Sequence, residues 1–261
     1  MIASHPVTQG IAAALCGAFV SFSLGLVGGG GSILAVPLIL YVVGLGNPHI
    51  AIGTAALAVA ASAYINMIPH ARAGHVRWGP AFAFAASGVL GAALGSTIGK
   101  LVDGQKLITY FAFLMCFVAF LMLRPRPQAA AQVAAYPTPY PRLCSTGLGA
   151  GSLSGFFGIG GGFLVVPGLM FAGRMQIVDA IGTSLFAVGS FGLTTAVNYS
   201  ISGQVDWPIA AEFIGGGIVG GWLGACAACR LARKRGALNL VFSAMILSVA
   251  AYMLYHSWQA R

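Results

Sequence analysis

Gly25-Leu26-Val27-Gly28-Gly29-Gly30-Gly31-Ser32-Ile33-Leu34-Ala35-Val36-Pro37 interrupts an otherwise unbroken apolar segment. The chain repeats the pattern 130 residues later as Gly155-Phe156-Phe157-Gly158-Ile159-Gly160-Gly161-Gly162-Phe163-Leu164-Val165-Val166-Pro167. Four successive glycines make a poor helix interior, since each costs about 1 kcal/mol against alanine. A helix break is therefore predicted in both copies. Inside a bilayer a broken helix bares N–H and C=O groups, tolerated only where protein buries them or they line a wet cavity. Paired breaks at matching positions in two halves of a membrane protein point to a transport site.

Composition sets the class. Of 261 residues, 58% are hydrophobic and 7% charged, against roughly 25% charged in a soluble domain. Apolar runs of span length recur along the chain, as a hydrocarbon core about 30 Å thick requires, so the sequence reads as an all-α integral membrane protein in contact with the lipid bilayer, with no soluble domain. The net charge of +9 does not indicate nucleic-acid binding, because the basic residues stand between apolar runs, where membrane topology places them. The N-terminal MIASHPVTQG carries no Lys or Arg, unlike a signal peptide's positive n-region. Five cysteines read as packed small residues, Cys226-Ala-Ala-Cys229 included, because no second CxxC or His-rich stretch accompanies that pair. The sequence calls for no cofactor and no metal.

Breakers divide the chain into apolar runs at 9–27, 32–44, 49–69, 78–100, 105–124, 142–157, 162–173, 178–200, 207–229 and 236–256. The proline-rich stretch 125–141 reads as a semi-rigid linker. It separates a first repeat, 1–124, from a second, 142–261. Beyond the glycines the correspondence continues at an offset of 129: Ala51-Ile52-Gly53-Thr54 with Ala180-Ile181-Gly182-Thr183, Gly74 with Gly203, Trp78 with Trp207, and Gly91 and Gly95 with Gly220 and Gly224.

Basic residues favour the cytoplasmic side. Arg72, Arg77, Arg124, Arg126, Arg142, Arg174, Arg230, Arg233, Lys234 and Arg235 all fall inside if the linker and the 230–235 loop are cytoplasmic, leaving Lys100, Lys106 and Arg261 outside. Residues 142–173 must then begin and end on one side. The arm 162–173, about 18 Å long at 1.5 Å per residue, favours a re-entrant hairpin turning at the glycines over two full spans. Each repeat becomes a glycine-broken helical hairpin plus three transmembrane helices, and that odd number of crossings inverts the second repeat relative to the first. The sequence leaves assembly as a homodimer open.

A helix restarting after each break has N–H groups without intrahelical partners, and such an end attracts anions. Gly28, Gly29, Gly30, Gly31, Ser32 and Ile33, with Gly158, Gly160, Gly161, Gly162 and Phe163, are the candidate cradle; the alternative is that these glycines serve close helix packing. Thr183, Ser190, Thr194 and Asn198 form one stripe on helix 178–200 and are candidates to complete the site. In the first repeat the candidates are Thr54, Ser62 and Asn66, although a membrane hydroxyl often only back-bonds to its own helix. Among the four acidic residues, Asp103 and Asp206 belong to outer connections and Asp179 is placed to cap helix 178–200. Glu212 enters a span and, with His49, is a candidate for proton coupling; a snorkelling or packing role is its alternative. His70 and His75 read as part of a solvated basic face.

The repeated GGxxxxVP segment, the Ile-Gly-Thr that follows it, and Gly74-His75-Val76-Arg77-Trp78 with Gly203-Gln204-Val205-Asp206-Trp207 resemble the TauE/SafE sulfite exporter family over nearly the whole chain. The resemblance implies a small permease for sulfite, sulfonates or related small sulfur-containing anions in a bacterial inner membrane. This sequence departs from strict internal repetition where Gly29 and Ser32 face Ile159 and Gly162. An intramembrane serine protease does not fit: no His lies well inside a span, and Gly151-Ser152-Leu153-Ser154-Gly155 lacks the GxSxG spacing. No GxGxxG spacing after a strand is present either. A carrier or channel for carboxylates is the nearest alternative.

Overall fold

The computed structural model describes residues 7–27, 29–123, 140–231, 247 and 249–253. Every regular element among them is helical: α1 (Val7–Val27), a 3₁₀ segment (Gly29–Leu34), the single turn α2 (Ala35–Pro37), a π-helical turn (Leu38–Val42), α3 (Pro48–Arg72), α4 (Trp78–Leu101), α5 (Gly104–Leu123), α6 (Tyr140–Phe157), α7 (Gly162–Ala172), α8 (Ile177–Ile201) and α9 (Trp207–Leu231). Val7–Gly25, Pro48–Arg72, Trp78–Leu101 and Val178–Ile201 are each long and apolar enough to cross a membrane. Gly31–Val42, Gly104–Val118 and Gly162–Ala172 are apolar but shorter. The outside of the bundle is greasy: Leu90, Leu94 and Ile98 form an exposed stripe on α4, and Phe113, Phe117 and Phe120 one on α5. Stripes of that size suit lipid and would aggregate in water.

Helix starts follow local chemistry. Asn47 caps α3, its side chain accepting the N–H of His49 at 3.0 Å, with Pro48 in the first turn. Asp103 accepts from Gln105 at 3.0 Å and Asp206 from Ile209 at 3.1 Å, at the starts of α5 and α9. Asp179 does not cap α8, as its sequence position suggests. The N-cap is Gln176, and Asp179, one turn inside, pairs instead with Arg77 Nε at 2.8 Å and His75 Nδ1 at 3.5 Å. The expected boundary at Pro69 also moves: α3 continues to Arg72, because the Pro69 carbonyl still accepts from Ala73 at 3.0 Å. The expected linker 125–141 and last helix 236–256 lie largely outside the described residues, as do residues 232–235; α6 takes in Tyr140 and Pro141, and residues 249–253 are helical.

Each break folds the chain back on itself, since the 3₁₀ segment packs on α1 and α7 packs on α6. The longer helices then interlock across the repeats: α1 lies on α9, α6 on α4, and α3 on α8. Small residues set these seams. Gly220 and Gly224 of α9 press on the carbonyls of Ala18 and Phe22; Gly91 and Gly95 of α4 press on those of Leu148 and Ser152. A side chain at any of the four would meet backbone, which cannot step aside cheaply. The same duplication governs α3 and α8. Thr54 accepts the N–H of Asp206 at 2.9 Å, and Thr183, 129 residues later, accepts that of Arg77 at 3.0 Å. Along this pair Gly53 meets Gln204, Ala60 meets Gly192, Tyr64 meets Gly189 and His75 meets Gly182, so the two corresponding helices run antiparallel.

Candidate functional site

The second break is a true reversal. After α6 ends at Phe157, Gly158, Gly160 and Gly161 take φ of 68°, 65° and 66°, a left-handed backbone that costs a residue with a Cβ roughly 1–2 kcal/mol. The Gly158 N–H reaches back to the Ser154 carbonyl at 2.8 Å, and those of Leu164 and Val165 reach the Gly161 carbonyl at 2.9 and 3.0 Å. No backbone hydrogen bond of this kind engages the N–H groups of Gly160, Gly161, Gly162 or Phe163. Gly161 is the N-cap of α7 and has no side chain to supply a cap. The positive end of α7 is therefore uncompensated inside the protein, since residues 158–162 are all buried.

The first break differs from the expected open turn. Gly29–Leu34 winds as a 3₁₀ helix, whose tighter i→i+3 bonding uses donors that an open turn would leave free. Pro37 matches Pro167 of α7 in the repeat, yet only the first is followed by a π turn, with the Val43 N–H on the Leu38 carbonyl at 3.0 Å. The two breaks nevertheless meet: the 3₁₀ segment packs against α7 and α8. Ser32 and Ile33 are fully buried there, Gly31 presses on Ser23 and Leu24, Gly29 and Gly30 open the 3₁₀ segment, and Gly28 lies outside the described residues.

Around the second turn the walls are apolar. Gly158 touches Ile52; Gly160 stands 2.9 Å from Val59 Cγ1 and 3.0 Å from Val188 Cγ1, measured from where its Cβ would be. Two hydroxyls that the sequence reading did not select stand against the breaks, one at each. Ser154 Oγ lies 3.1 Å from the Cβ position of Gly161, and Ser23 Oγ stands against Gly31. Both serines are fully buried, and among the described residues neither hydroxyl has a hydrogen-bond partner. An unpaired buried hydroxyl costs about 1–3 kcal/mol. Helical spacing carries no signal for either serine, because α1 ends at Val27 and α6 at Phe157, before the glycine each serine faces.

The expected polar stripe of α8 does not converge on the turns. Thr183 is spent on the Arg77 N–H. Ser190 donates to the Phe186 carbonyl at 2.8 Å and meets the Tyr64 hydroxyl at 3.2 Å, and Thr194 back-bonds to Ser190 at 2.8 Å. Asn198 faces α4, donating to Ser96 at 2.6 Å and Thr97 at 3.0 Å and accepting Lys100 Nζ at 2.7 Å. In the first repeat Thr54 holds the Asp206 N–H. Ser62 and Asn66 form a buried cluster with Ser21: Ser21 donates to Ser62 at 2.9 Å, and Asn66 to the Ser62 carbonyl at 2.9 Å. Asn66 lies against Gly221 of α9 and Ser62 against Gly217.

The two proton-coupling candidates lie on different helices, Glu212 on α9 and His49 on α3. Glu212 is part-buried beside Gly10 of α1, 2.6 Å from its Cβ position, and its Oε2 is buried without a partner. His49 Nδ1 is also buried and unpartnered, its ring 6.4 Å from that of Tyr199, whose hydroxyl is likewise unpaired. Among the described residues no three His, Cys, Asp or Glu come together as a metal would need. A cavity of about 270 Å³ between the π turn and residues 249–252, lined by Leu38, Tyr41 and Tyr252, is separate from the glycine turns.

Comparison with known proteins gives the same class. Residues 13–253 match the family described as sulfite exporter TauE/SafE. The chain is 54% identical over 246 residues to a "Probable membrane transporter protein" of Xylella fastidiosa strain Temecula1, covering 93% of this chain and 94% of that one. The protein of the same description from strain 9a5c matches to the same extent. Bacillus subtilis strain 168 has a "Probable membrane transporter protein YunE" that is 25% identical over 252 residues, covering 88% of this chain and 92% of that one. No solved structure matches the chain.

Proposed function

Since the chain belongs to the TauE/SafE sulfite exporter family and is a membrane transporter of that family, we propose that it exports sulfite, organosulfonates or related small sulfur-containing anions, held between its two glycine breaks. One observation carries this reading: two breaks 130 residues apart in sequence pack together inside the bundle, and among the described residues no backbone carbonyl accepts the N–H groups of Gly160 to Phe163. No Lys or Arg occurs at residues 7–42 or 143–173. An anion there is held by N–H dipoles and hydroxyls, which bind it without trapping it as a buried cation would.

The antiparallel course of α3 and α8 supports two inverted repeats, and the substrate would change sides as one repeat rocks against the other. The distribution of basic residues supports a bacterial inner membrane with the linker and the 230–235 loop in the cytoplasm. Glu212, on α9, with His49, is the candidate for carrying a coupled proton.

Flux of sulfite, thiosulfate, taurine and acetate into proteoliposomes, with and without an imposed pH gradient, tests the proposal. Saturable sulfite or sulfonate flux that the gradient accelerates is the expected result. Equal flux of acetate would transfer the site to carboxylates, and flux without saturation or exchange would make the protein a channel.

A further inference from the structure

Among the described residues most serine and threonine hydroxyls buried on the helices are occupied. Ser96, Ser152, Ser184 and Thr195 each donate to a carbonyl three or four residues back, at 2.7 to 3.1 Å. Ser23 on α1 and Ser154 on α6 could satisfy themselves in the same way and do not. Both are fully buried. Both stand against a glycine of a break, Gly31 and Gly161, which occupy matching positions in the two repeats.

We propose, building on the reading of the two breaks as the anion site, that Ser23 and Ser154 are its side-chain ligands and that they select a compact oxyanion with three or more oxygens over a carboxylate. The donors come from two separate arms: the Ser154 hydroxyl with the N–H groups of Gly160 to Phe163 from one, and the Ser23 hydroxyl with the first break from the other. A pyramidal or tetrahedral oxyanion presents oxygens to both arms at once. A carboxylate presents two oxygens along a single edge, so one arm keeps an unpaired hydroxyl. Sites built to hydrogen-bond their ligand discriminate strongly against an analogue that leaves such a group unmatched.

Thermal unfolding of the full-length protein, titrated with sodium sulfite and with sodium acetate, tests this alongside proteoliposome flux. Ser23→Ala and Ser154→Ala each remove a hydroxyl that has no partner among the described residues. Each variant is expected to unfold at a higher temperature than wild type without ligand, while its apparent sulfite affinity falls roughly 10-fold or more, the scale of one hydrogen bond to a charged group. The weaker acetate response falls in at most one of the two variants, the one that removes the hydroxyl of the arm a carboxylate uses. A lower unfolding temperature without ligand identifies a structural role and overturns the assignment, as does unaltered sulfite affinity. Should Ser154→Ala fail to fold, that failure counts against Ser154, and Ser23→Ala tests the other arm. Wild-type protein that neither binds nor moves sulfite refutes the anion site itself; wild-type sulfite flux with indifferent variants refutes only the role of the serines.

Discussion

Gly160→Ala and Gly203→Ala impose the same backbone demand in different surroundings. Both glycines hold a left-handed φ, 65° and 67°, so each alanine costs roughly 1–2 kcal/mol in backbone strain. At Gly203 nothing lies within 4 Å of the new methyl, and the cost ends there. At Gly160 the methyl stands 2.9 Å from Val59 Cγ1 and 3.0 Å from Val188 Cγ1. Both contacts are closer than carbon atoms accept, and overpacking adds roughly 1–3 kcal/mol. The total for Gly160→Ala is about 2–5 kcal/mol, against about 1–2 kcal/mol for Gly203→Ala. Thermal unfolding of the purified variants, with sulfite flux normalised to inserted protein, measures both consequences. Gly160→Ala should unfold well below Gly203→Ala and lose transport, while Gly203→Ala keeps it. Equal unfolding temperatures with normal flux through Gly160→Ala would refute both the packing of the second turn and its place in the transport path.

Glu212→Gln is expected to abolish acceleration of flux by a pH gradient while leaving substrate exchange intact, because it removes a titratable group but keeps the shape beside Gly10; gradient-driven flux at the wild-type rate would clear Glu212 of proton coupling. Thr54→Val and Thr183→Val each strand a loop N–H, of Asp206 and Arg77 respectively, and should each lower stability by about 1–3 kcal/mol in thermal unfolding. Asp179→Asn should cost far less, roughly 0–1 kcal/mol, since Arg77 is 63% exposed and its ion pair is screened by water. Ala73 and Ser202 are exposed, correspond in the repeats and flank opposite ends of the α3 and α8 pair. In a cysteine-free background an impermeant maleimide should label Ser202→Cys on intact cells and Ala73→Cys only after permeabilisation, and labelling of both from one side would rule out inverted repeats.

What the sequence made legible is what depends on residue identity. Gly91 and Gly220 recur because each faces a carbonyl that leaves no room for a side chain. Thr54 and Thr183 recur because each supplies an acceptor for a backbone N–H. Apolar runs gave the helices nearly to their ends because the span length is imposed by the bilayer. The destination of a polar side chain is a tertiary matter. Thr183, Ser190, Thr194 and Asn198 do share a face of α8, as helical spacing requires, but α8 touches different neighbours along its length and the four go to different partners. Ser23 and Ser154 escaped notice for the converse reason, because a serine in an apolar helix looks self-satisfied until the geometry shows its hydroxyl empty.

The duplication is faithful in the seams and lost in the interior. Ser62 corresponds to Phe191 and Gly217 to Gly88. In one half Ser62, Ser21 and Asn66 make a polar cluster against Gly217 and Gly221; in the other Phe191 presses on Gly88 and stacks on Phe84, with centroids 6.1 Å apart and planes at 26°. The seams meet through backbone and glycine in both halves, so on the carrier reading they contribute nearly alike to the two states that a rocking motion exchanges. What sets those states apart in energy is where the halves diverge, in the interior and in the two unlike breaks. On that reading the resting bias resides in the polar cluster, the aromatic stack and the breaks, whereas substitutions in the glycine seams act on whether the protein assembles at all.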